Sequence, residues 1–158
     1  MNRALKITVL SLFVISLAVW ADDNPLIGKW KINLAKTKYN AGTPPKNQVI
    51  TYQMVGDALK LTAEIDNAQG HVTNSYTAKY DGKDYPFTST APDAVAGQTV
   101  RLKRIDAYTT QRTTYLKGKQ IGTVTEVVSK DGKSLTRTQK GTNAQGQPTD
   151  NVQVLDKQ

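Results

Sequence analysis

The segment "ALKLTAEID", residues 58–66, alternates strictly between apolar and polar side chains. An extended chain carries its apolar residues on one side and its polar residues on the other: Leu59, Leu61, Ala63 and Ile65 against Lys60, Thr62, Glu64 and Asp66. A period of two is typical of a β-strand with one face on a core and the other in water. The segment therefore predicts a strand that is buried on one side.

The same alternation continues through most of the chain after residue 26, interrupted by glycine-containing turns. The turns are Val55-Gly56-Asp57, Asp81-Gly82, Lys117-Gly118-Lys119 and Asp131-Gly132. They separate ten predicted strands, at residues 26–34, 47–55, 58–66, 70–80, 84–88, 98–105, 107–116, 119–129, 133–141 and 149–156. Because most connections are short hairpins, we predict an all-β, antiparallel up-and-down meander of about 8–10 strands. Closing it into a barrel removes the exposed edges.

Two longer links interrupt the hairpins. "AKTKYNAGTPPKN", residues 35–47, contains two consecutive prolines, and "TSTAPDAVAGQ", residues 88–98, contains Pro92 and Gly97. Proline cannot donate a ladder hydrogen bond, so neither link belongs inside a sheet. The first link holds either a turn of helix or an extended cover. Two interpretations stay open for both: a lid over a barrel mouth, or plain connections.

The N-terminus has the pattern of a secretory signal peptide. Arg3 and Lys6 precede the mostly apolar residues 7–20, and Val19 and Ala21 are small residues at the positions that signal peptidase reads. We predict cleavage after Ala21, a single barrel domain at residues 22–158, and a periplasmic or secreted protein. A retained anchor is the competing interpretation, although the apolar run is short for a membrane span. We expect no stable membrane anchor.

Composition excludes several kinds of chemistry. The chain has no cysteine, so it forms no disulfide, thiolate nucleophile or cysteine-ligated metal site. Its formal net charge of +8 favours anionic partners, but the basic residues are spread thinly. The densest cluster, residues 101–104, has no aromatic row beside it, so we expect no nucleic acid partner. We expect a monomer without a cofactor.

Groups suited to catalysis are scarce. His71, the single histidine, falls on the polar face of its strand, and Glu64 and Glu126 are the two glutamates. An enzyme on this scaffold would need these three residues to converge in a pocket. Because Glu64 alternates onto a polar face, we predict no catalytic residue, no metal site and no enzymatic activity.

Three arginines share strand faces with apolar residues. Arg104 follows Val100 and Leu102, while Arg112 and Arg137 alternate with Leu116 and Leu135 respectively. A guanidinium inside an apolar barrel requires a counter-charge, and a bound carboxylate is the natural partner. We therefore predict an anion site, with hydroxyl groups from nearby tyrosines: Tyr52, Tyr76 and Tyr108. The alternatives are a surface position, or an arginine packed over Trp30 as a cation.

"GKW", residues 28–30, resembles the Gly-x-Trp motif at the first strand of lipocalins and related calycin barrels. The resemblance implies that Gly28 and Trp30 close the barrel base, with a basic side chain from a late strand over the indole. It also implies a lipocalin or fatty-acid-binding-protein-like barrel that carries a small apolar ligand. Fatty-acid-binding barrels hold such ligands with internal arginine and tyrosine. The Thr-Asp-Tyr motif of lipocalins is not found.

Phrases along the mature chain are similar to a family of small, secreted, uncharacterised bacterial proteins of lipocalin-like type. They include "YTAKYDGKDYPF" (residues 76–87), "VVSKDGKSLTRTQKGTNAQGQ" (residues 127–147) and "VLDKQ" (residues 154–158). We predict a non-enzymatic binding protein for a small apolar or amphipathic, possibly anionic, ligand. The alternative is a cell-envelope interaction module with a filled core and a basic outer surface that includes Arg101, Lys103, Arg104 and Arg137.

Overall fold

The computed structural model describes residues 24–142 and 148–158, and the predicted signal peptide lies outside them. Ten strands follow one another: β1 (Gly28–Ile32), β2 (Asn47–Val55), β3 (Ala58–Asn67), β4 (Gly70–Ala78), β5 (Tyr85–Ser89), β6 (Gln98–Arg104), β7 (Thr109–Leu116), β8 (Lys119–Val128), β9 (Ser134–Thr142) and β10 (Pro148–Lys157). Within the described ranges, no helix is long and apolar enough to cross a membrane.

Every strand pairs antiparallel with its neighbours in sequence, and β1 pairs with β10 to close the barrel. Trp30 lies opposite Lys157 and Ile32 opposite Leu155 across this closing seam. The predicted fold is therefore confirmed, with ten strands. The hairpins depend on residues with positive φ: Lys117 (φ 50°) and Gly118 (φ 76°) form a two-residue turn between β7 and β8, matching the right-handed twist of the flanking strands.

Two strands begin two residues later than the alternation predicted. β1 starts at Gly28 rather than at residue 26, because the Ile27 amide donates to the Asn24 carbonyl oxygen (3.0 Å) and turns the chain there. β7 starts at Thr109 because the Tyr108 amide donates to the Asp106 side chain (2.8 Å) and closes a turn. In both places a backbone amide donates its hydrogen bond to a carbonyl group or a side chain instead of to the neighbouring strand.

One half of the barrel interior is packed with apolar side chains. Val128 lies opposite Leu135, and Leu135 opposite Leu155, so three adjacent strands contribute one continuous apolar row. The same buried cluster contains residues of β1 to β3: Trp30, Ile50, Tyr52 and Leu59. This packed half, at the end where β1 begins and β10 finishes, is the base of the barrel.

Both long links lie at the opposite end, which is the mouth. In an up-and-down meander every odd-to-even connection leaves from the same end, and the links join β1 to β2 and β5 to β6. The first link is an extended cover pinned to β10 after one hydrogen-bonded turn, and it contains no helix. Lys38 forms a bridge with Val152, and the Asn151 side chain accepts from the Asn40 amide (3.0 Å).

Truncation of the base core tests this packing. We expect Leu155→Ala to lower the free energy of unfolding by about 2–5 kcal/mol, because Leu155 is fully buried and the surrounding barrel cannot collapse into the cavity. The matched control is Leu34→Ala, which should cost less than about 0.5 kcal/mol because Leu34, shortly after β1, is 46% exposed. Urea unfolding followed by tryptophan fluorescence measures both variants; equal losses would contradict the packed base.

Candidate functional site

A cavity of about 380 Å³ occupies the mouth half of the barrel. Its wall mixes apolar side chains, among them Leu61, Ile65 and Phe87, with a larger number of polar ones. The polar wall comprises Tyr39, Thr43, Gln48, Asn67, Asn74, Gln98, Arg112, Thr114, Arg137, Gln139, Thr142 and Gln153. Tyr39 and Thr43 come from the first link, so that link covers the cavity rather than only connecting strands.

A second pocket of about 870 Å³ adjoins the cavity beneath the second link. Asn74, Phe87 and Gln98 line both spaces, so they stand at the junction between the two. The wall of the second pocket contains Ala91, Ala94, Val95, Ala96, Leu116 and Ile121. The first space is thus mainly polar and the second partly aliphatic, an arrangement that suits a molecule with a polar head and an apolar tail.

A row of four polar residues crosses the barrel wall between the cavity and the base. In the strand register, Thr110 lies opposite Glu126, Glu126 opposite Arg137, and Arg137 opposite Gln153. All four side chains point inward and are buried. The row lies one inward position above the apolar row at Val128 and Leu135, and it therefore forms the floor of the cavity.

The floor is held by a buried ion pair. Arg137 Nε lies 3.0 Å from Glu126 Oε1, with side-chain exposures of 8% and 2%. The hydroxyl of Tyr52 also donates to Glu126 Oε1, and Thr110 donates to Oε2 at 3.3 Å. Burial and the Glu126 charge raise the pKa of Tyr52 well above its ordinary value, so its hydroxyl keeps the proton that it donates.

The remaining contacts of Arg137 join the floor to the first link. Arg137 Nη1 donates to Gln153 Oε1 at 2.8 Å. Gln153 Nε2 then donates to the Tyr39 hydroxyl and, at 3.0 Å, to Gln48 Oε1. Tyr39, in the first link, thereby belongs to the same hydrogen-bond network as the ion pair. These polar groups satisfy one another, as burial requires.

Arg112 has a different environment. It lies on β7, one inward position nearer the mouth than Thr110, and lines the cavity. Its guanidinium carbon is 5.7 Å from the ring centres of both Tyr76 and Phe87, within cation–π range. Among the described residues no carboxylate forms an ion pair with it. Arg112 therefore brings a positive charge into the cavity. Two aromatic rings contact this charge, and no protein carboxylate among the described residues pairs with it.

Buried polar atoms without a hydrogen-bond partner concentrate here. Three of the four found in the described residues are Asn74 Oδ1, Tyr76 OH and Arg112 Nε; the fourth, Tyr80 OH, lies toward the base. Asn74 and Tyr76 are alternate residues of β4, and the Tyr76 ring touches Arg112. Burial is the main cause that raises the pKa of Tyr76. The Tyr76 hydroxyl therefore stays neutral and able to donate a hydrogen bond. Unpartnered buried polar atoms are costly, and a molecule that hydrogen-bonds them would remove that cost.

The predicted arginines and tyrosines separate into different environments. Arg112 and Arg137 both line the cavity, but the counter-charge of Arg137 is Glu126 rather than a ligand. Arg104 does not line the cavity and lies beside Tyr80 toward the base. The expectation that Tyr108 points inward is wrong: it is 41% exposed in the β6–β7 turn, because β7 begins only at the following residue.

The base contains the "GKW" segment. Trp30 is fully buried, and its indole nitrogen donates to the Leu26 carbonyl oxygen at 2.8 Å. Lys157 Nζ lies 5.0 Å from the ring centre, so the cation over Trp30 is a lysine of β10 and not one of the arginines. Gly28 has φ 131°, and a Cβ there would come within 3.1 Å of Lys157 Cε. Glycine thus lets the lysine stem lie over the indole.

The carboxylates and histidine considered for catalysis do not converge. Glu64 is exposed on the outer face of β3, whereas Glu126 points into the barrel. His71 is also exposed, and its Nδ1 lies 2.8 Å from Asp66 Oδ1. No group of three or more metal-ligating acids and histidines occurs within residues 24–142 and 148–158.

The basic outer surface proposed for an interaction module is smaller than the sequence predicted. Arg101 is half-exposed but paired with Asp84 at 2.9 Å and stacked 4.7 Å from the Tyr115 ring centre. The prediction that Arg137 belongs to this outer surface is wrong, because its side chain points into the barrel. The core is filled only at the base, so the mouth half departs from the solid interior that this alternative requires.

Several site residues escaped the sequence interpretation. The sequence interpretation considers Glu126 only for catalysis, together with Glu64 and His71, although Val124 and Val128 on either side of it in the alternation indicate an inward face. Gln153 likewise alternates with buried Leu155 and Asn151. The signal for Asn74 was its position between Val72 and Tyr76 on the inward side of β4.

Solved structures with similar folds are ligand-binding proteins. One is a fatty acid binding protein of Schistosoma mansoni in complex with arachidonic acid, at TM-score 0.54 and 10% identity over 85% of this chain and 96% of that chain. Another is the zebrafish ileal bile acid-binding protein complexed with cholic acid, at TM-score 0.51 and 17% identity over 85% of this chain and 99% of that chain. These likenesses show the fold, a closed antiparallel barrel of ten strands. No protein-family model and no curated protein sequence matches the chain.

Removing the negative charge from the floor tests the ion pair. We expect Glu126→Gln to lower the free energy of unfolding by about 3–5 kcal/mol, because Arg137 would stay buried without a counter-charge. The control is Asp84→Asn, which removes the half-exposed pair with Arg101 and should cost less than about 1 kcal/mol. Urea unfolding at neutral pH measures both; a loss for Glu126→Gln no larger than the control's would contradict a buried, charged floor.

Proposed function

We propose that the protein is a non-enzymatic binding protein for a small amphipathic molecule with an anionic head. The observation that carries this proposal is Arg112, whose charge lines the cavity and whose Nε is buried without a partner. A ligand carboxylate would supply the missing acceptor and the missing negative charge together. The Tyr76 hydroxyl, also buried without a partner and carried on a ring whose centre is 5.7 Å from the guanidinium carbon, would donate to the same group.

The adjoining pocket accounts for the rest of the ligand. An anionic head on Arg112 would leave the tail to run past Phe87 into the partly aliphatic space under the second link. The fold of fatty-acid- and bile-acid-binding structures is consistent with a cargo inside the barrel. Arg137, already paired with Glu126, would contribute hydrogen bonds to the floor rather than the charge that selects the ligand.

Binding of dodecanoate tests the proposal. We expect wild-type protein to bind dodecanoate, and Arg112→Met to weaken it about ten- to a hundredfold, because a hydrogen bond to a charged group is lost. Arg101→Met is the matched control: it makes the same change of net charge on the outer face of the barrel and should leave the affinity unchanged. Isothermal titration calorimetry measures the affinities, and dodecanol serves as the ligand without a charge.

Two results would overturn the anion site. One is equal affinity of the wild type for dodecanoate and dodecanol. The other is dodecanoate binding by Arg112→Met at wild-type strength while both arginine variants unfold at the same urea concentration as the wild type.

We also propose that the protein is exported, on the pattern of residues 1–21. We expect expression of the full chain in a bacterial host to yield a periplasmic protein that begins at Asp22. Intact-mass analysis of the periplasmic fraction measures the N-terminus, and Ala21→Arg, which blocks the small-residue cleavage position, is the control. A cytoplasmic protein that retains residues 1–21 would contradict export.

A further inference from the structure

We infer that the ligand carries a hydrogen-bond donor, a hydroxyl or amide N–H, on its chain between the anionic head and the tail. The inference rests on the proposed function, because it takes the head to lie at Arg112. Its own observation is Asn74, whose Oδ1 is buried and without a partner.

Asn74 lies where the chain of such a ligand would pass. It lines both the polar cavity and the adjoining pocket, so a molecule that extends from one into the other meets its side chain. Tyr76, whose ring centre is 5.7 Å from the Arg112 guanidinium carbon, is two residues away on the same face of β4, which corresponds to roughly 7 Å along the strand. The Asn74 side chain is therefore displaced from the head position toward the mouth by several bond lengths.

The chemistry of the unpartnered atoms defines what the ligand must offer. Arg112 Nε is a donor, and it requires an acceptor such as a carboxylate oxygen. Asn74 Oδ1 is a carbonyl oxygen and can only accept, so it requires a donor from the ligand. A plain saturated fatty acid satisfies the first atom and leaves the second buried against methylene groups, which is unfavourable.

The other asparagine on the cavity wall shows the contrast. Asn67 Oδ1 accepts from the Gln69 backbone amide at 2.9 Å, because it belongs to the turn between β3 and β4. Its hydrogen-bonding capacity is thus used within the protein. The structure therefore assigns recognition of a donor-bearing amphipathic acid, such as a hydroxylated fatty acid, to Asn74.

The test compares dodecanoate with its 3-, 6- and 12-hydroxy derivatives by isothermal titration calorimetry. We expect one hydroxyl position to tighten binding to the wild type about three- to tenfold, the value of one net hydrogen bond. Asn74→Ala should abolish that gain while still binding dodecanoate, and Asn67→Ala should keep it. Asn74→Leu, which preserves side-chain volume, serves as a second variant should the alanine substitution prevent folding.

The outcomes separate the two proposals. Binding of all three hydroxydodecanoates no tighter than dodecanoate would overturn the donor requirement and leave the anion site standing. A hydroxyl gain that persists in both Asn74 variants would overturn the role of Asn74. Failure of every carboxylate to bind would overturn the proposed function, and this inference with it.

Discussion

The buried ion pair between Glu126 and Arg137 is the interaction on which the division of the barrel depends. Two charges inside a protein are stable only when they meet each other and when their remaining atoms are hydrogen-bonded. Tyr52, Thr110 and Gln153 complete that requirement from three other strands. Beneath the pair, apolar side chains fill the base; above it, the wall is polar and encloses a cavity.

The same pair determines which arginine is left for a ligand. Glu126 neutralises Arg137, and the described residues supply no second carboxylate at Arg112. Arg112 lies one inward position nearer the mouth than the neutralised pair and keeps its positive charge there. The rings of Tyr76 and Phe87 contact the Arg112 guanidinium, and the Arg112 side chain also lines the cavity. The barrel thus combines a neutral, closed floor with a cationic chamber.

The fold was predictable because the sequence patterns that specify its strands and turns each span only a few consecutive residues. Period-two alternation and turn glycines indicated all ten strands, and a meander of hairpins leaves few alternative topologies. The site was less predictable because it depends on which faces meet across the barrel. Because β7 has threonine on both faces, its sequence did not indicate that Arg112 points inward. A register shift at Thr114/Tyr115 also brings Ile121 into the cavity wall. The Gly-x-Trp resemblance predicted a basic residue of a late strand over Trp30, but nothing local marks Lys157, 127 positions further along the chain, as that residue.

Native mass spectrometry of the protein purified from its own cells without denaturation tests the central claim most directly. We predict that the wild type carries a bound acid of a few hundred daltons, and that this species is absent from Arg112→Met and retained by Arg101→Met. Denaturing extraction would then identify it. A bare wild-type chain that also fails to take up added dodecanoate would contradict the assignment of the cavity to an anionic cargo.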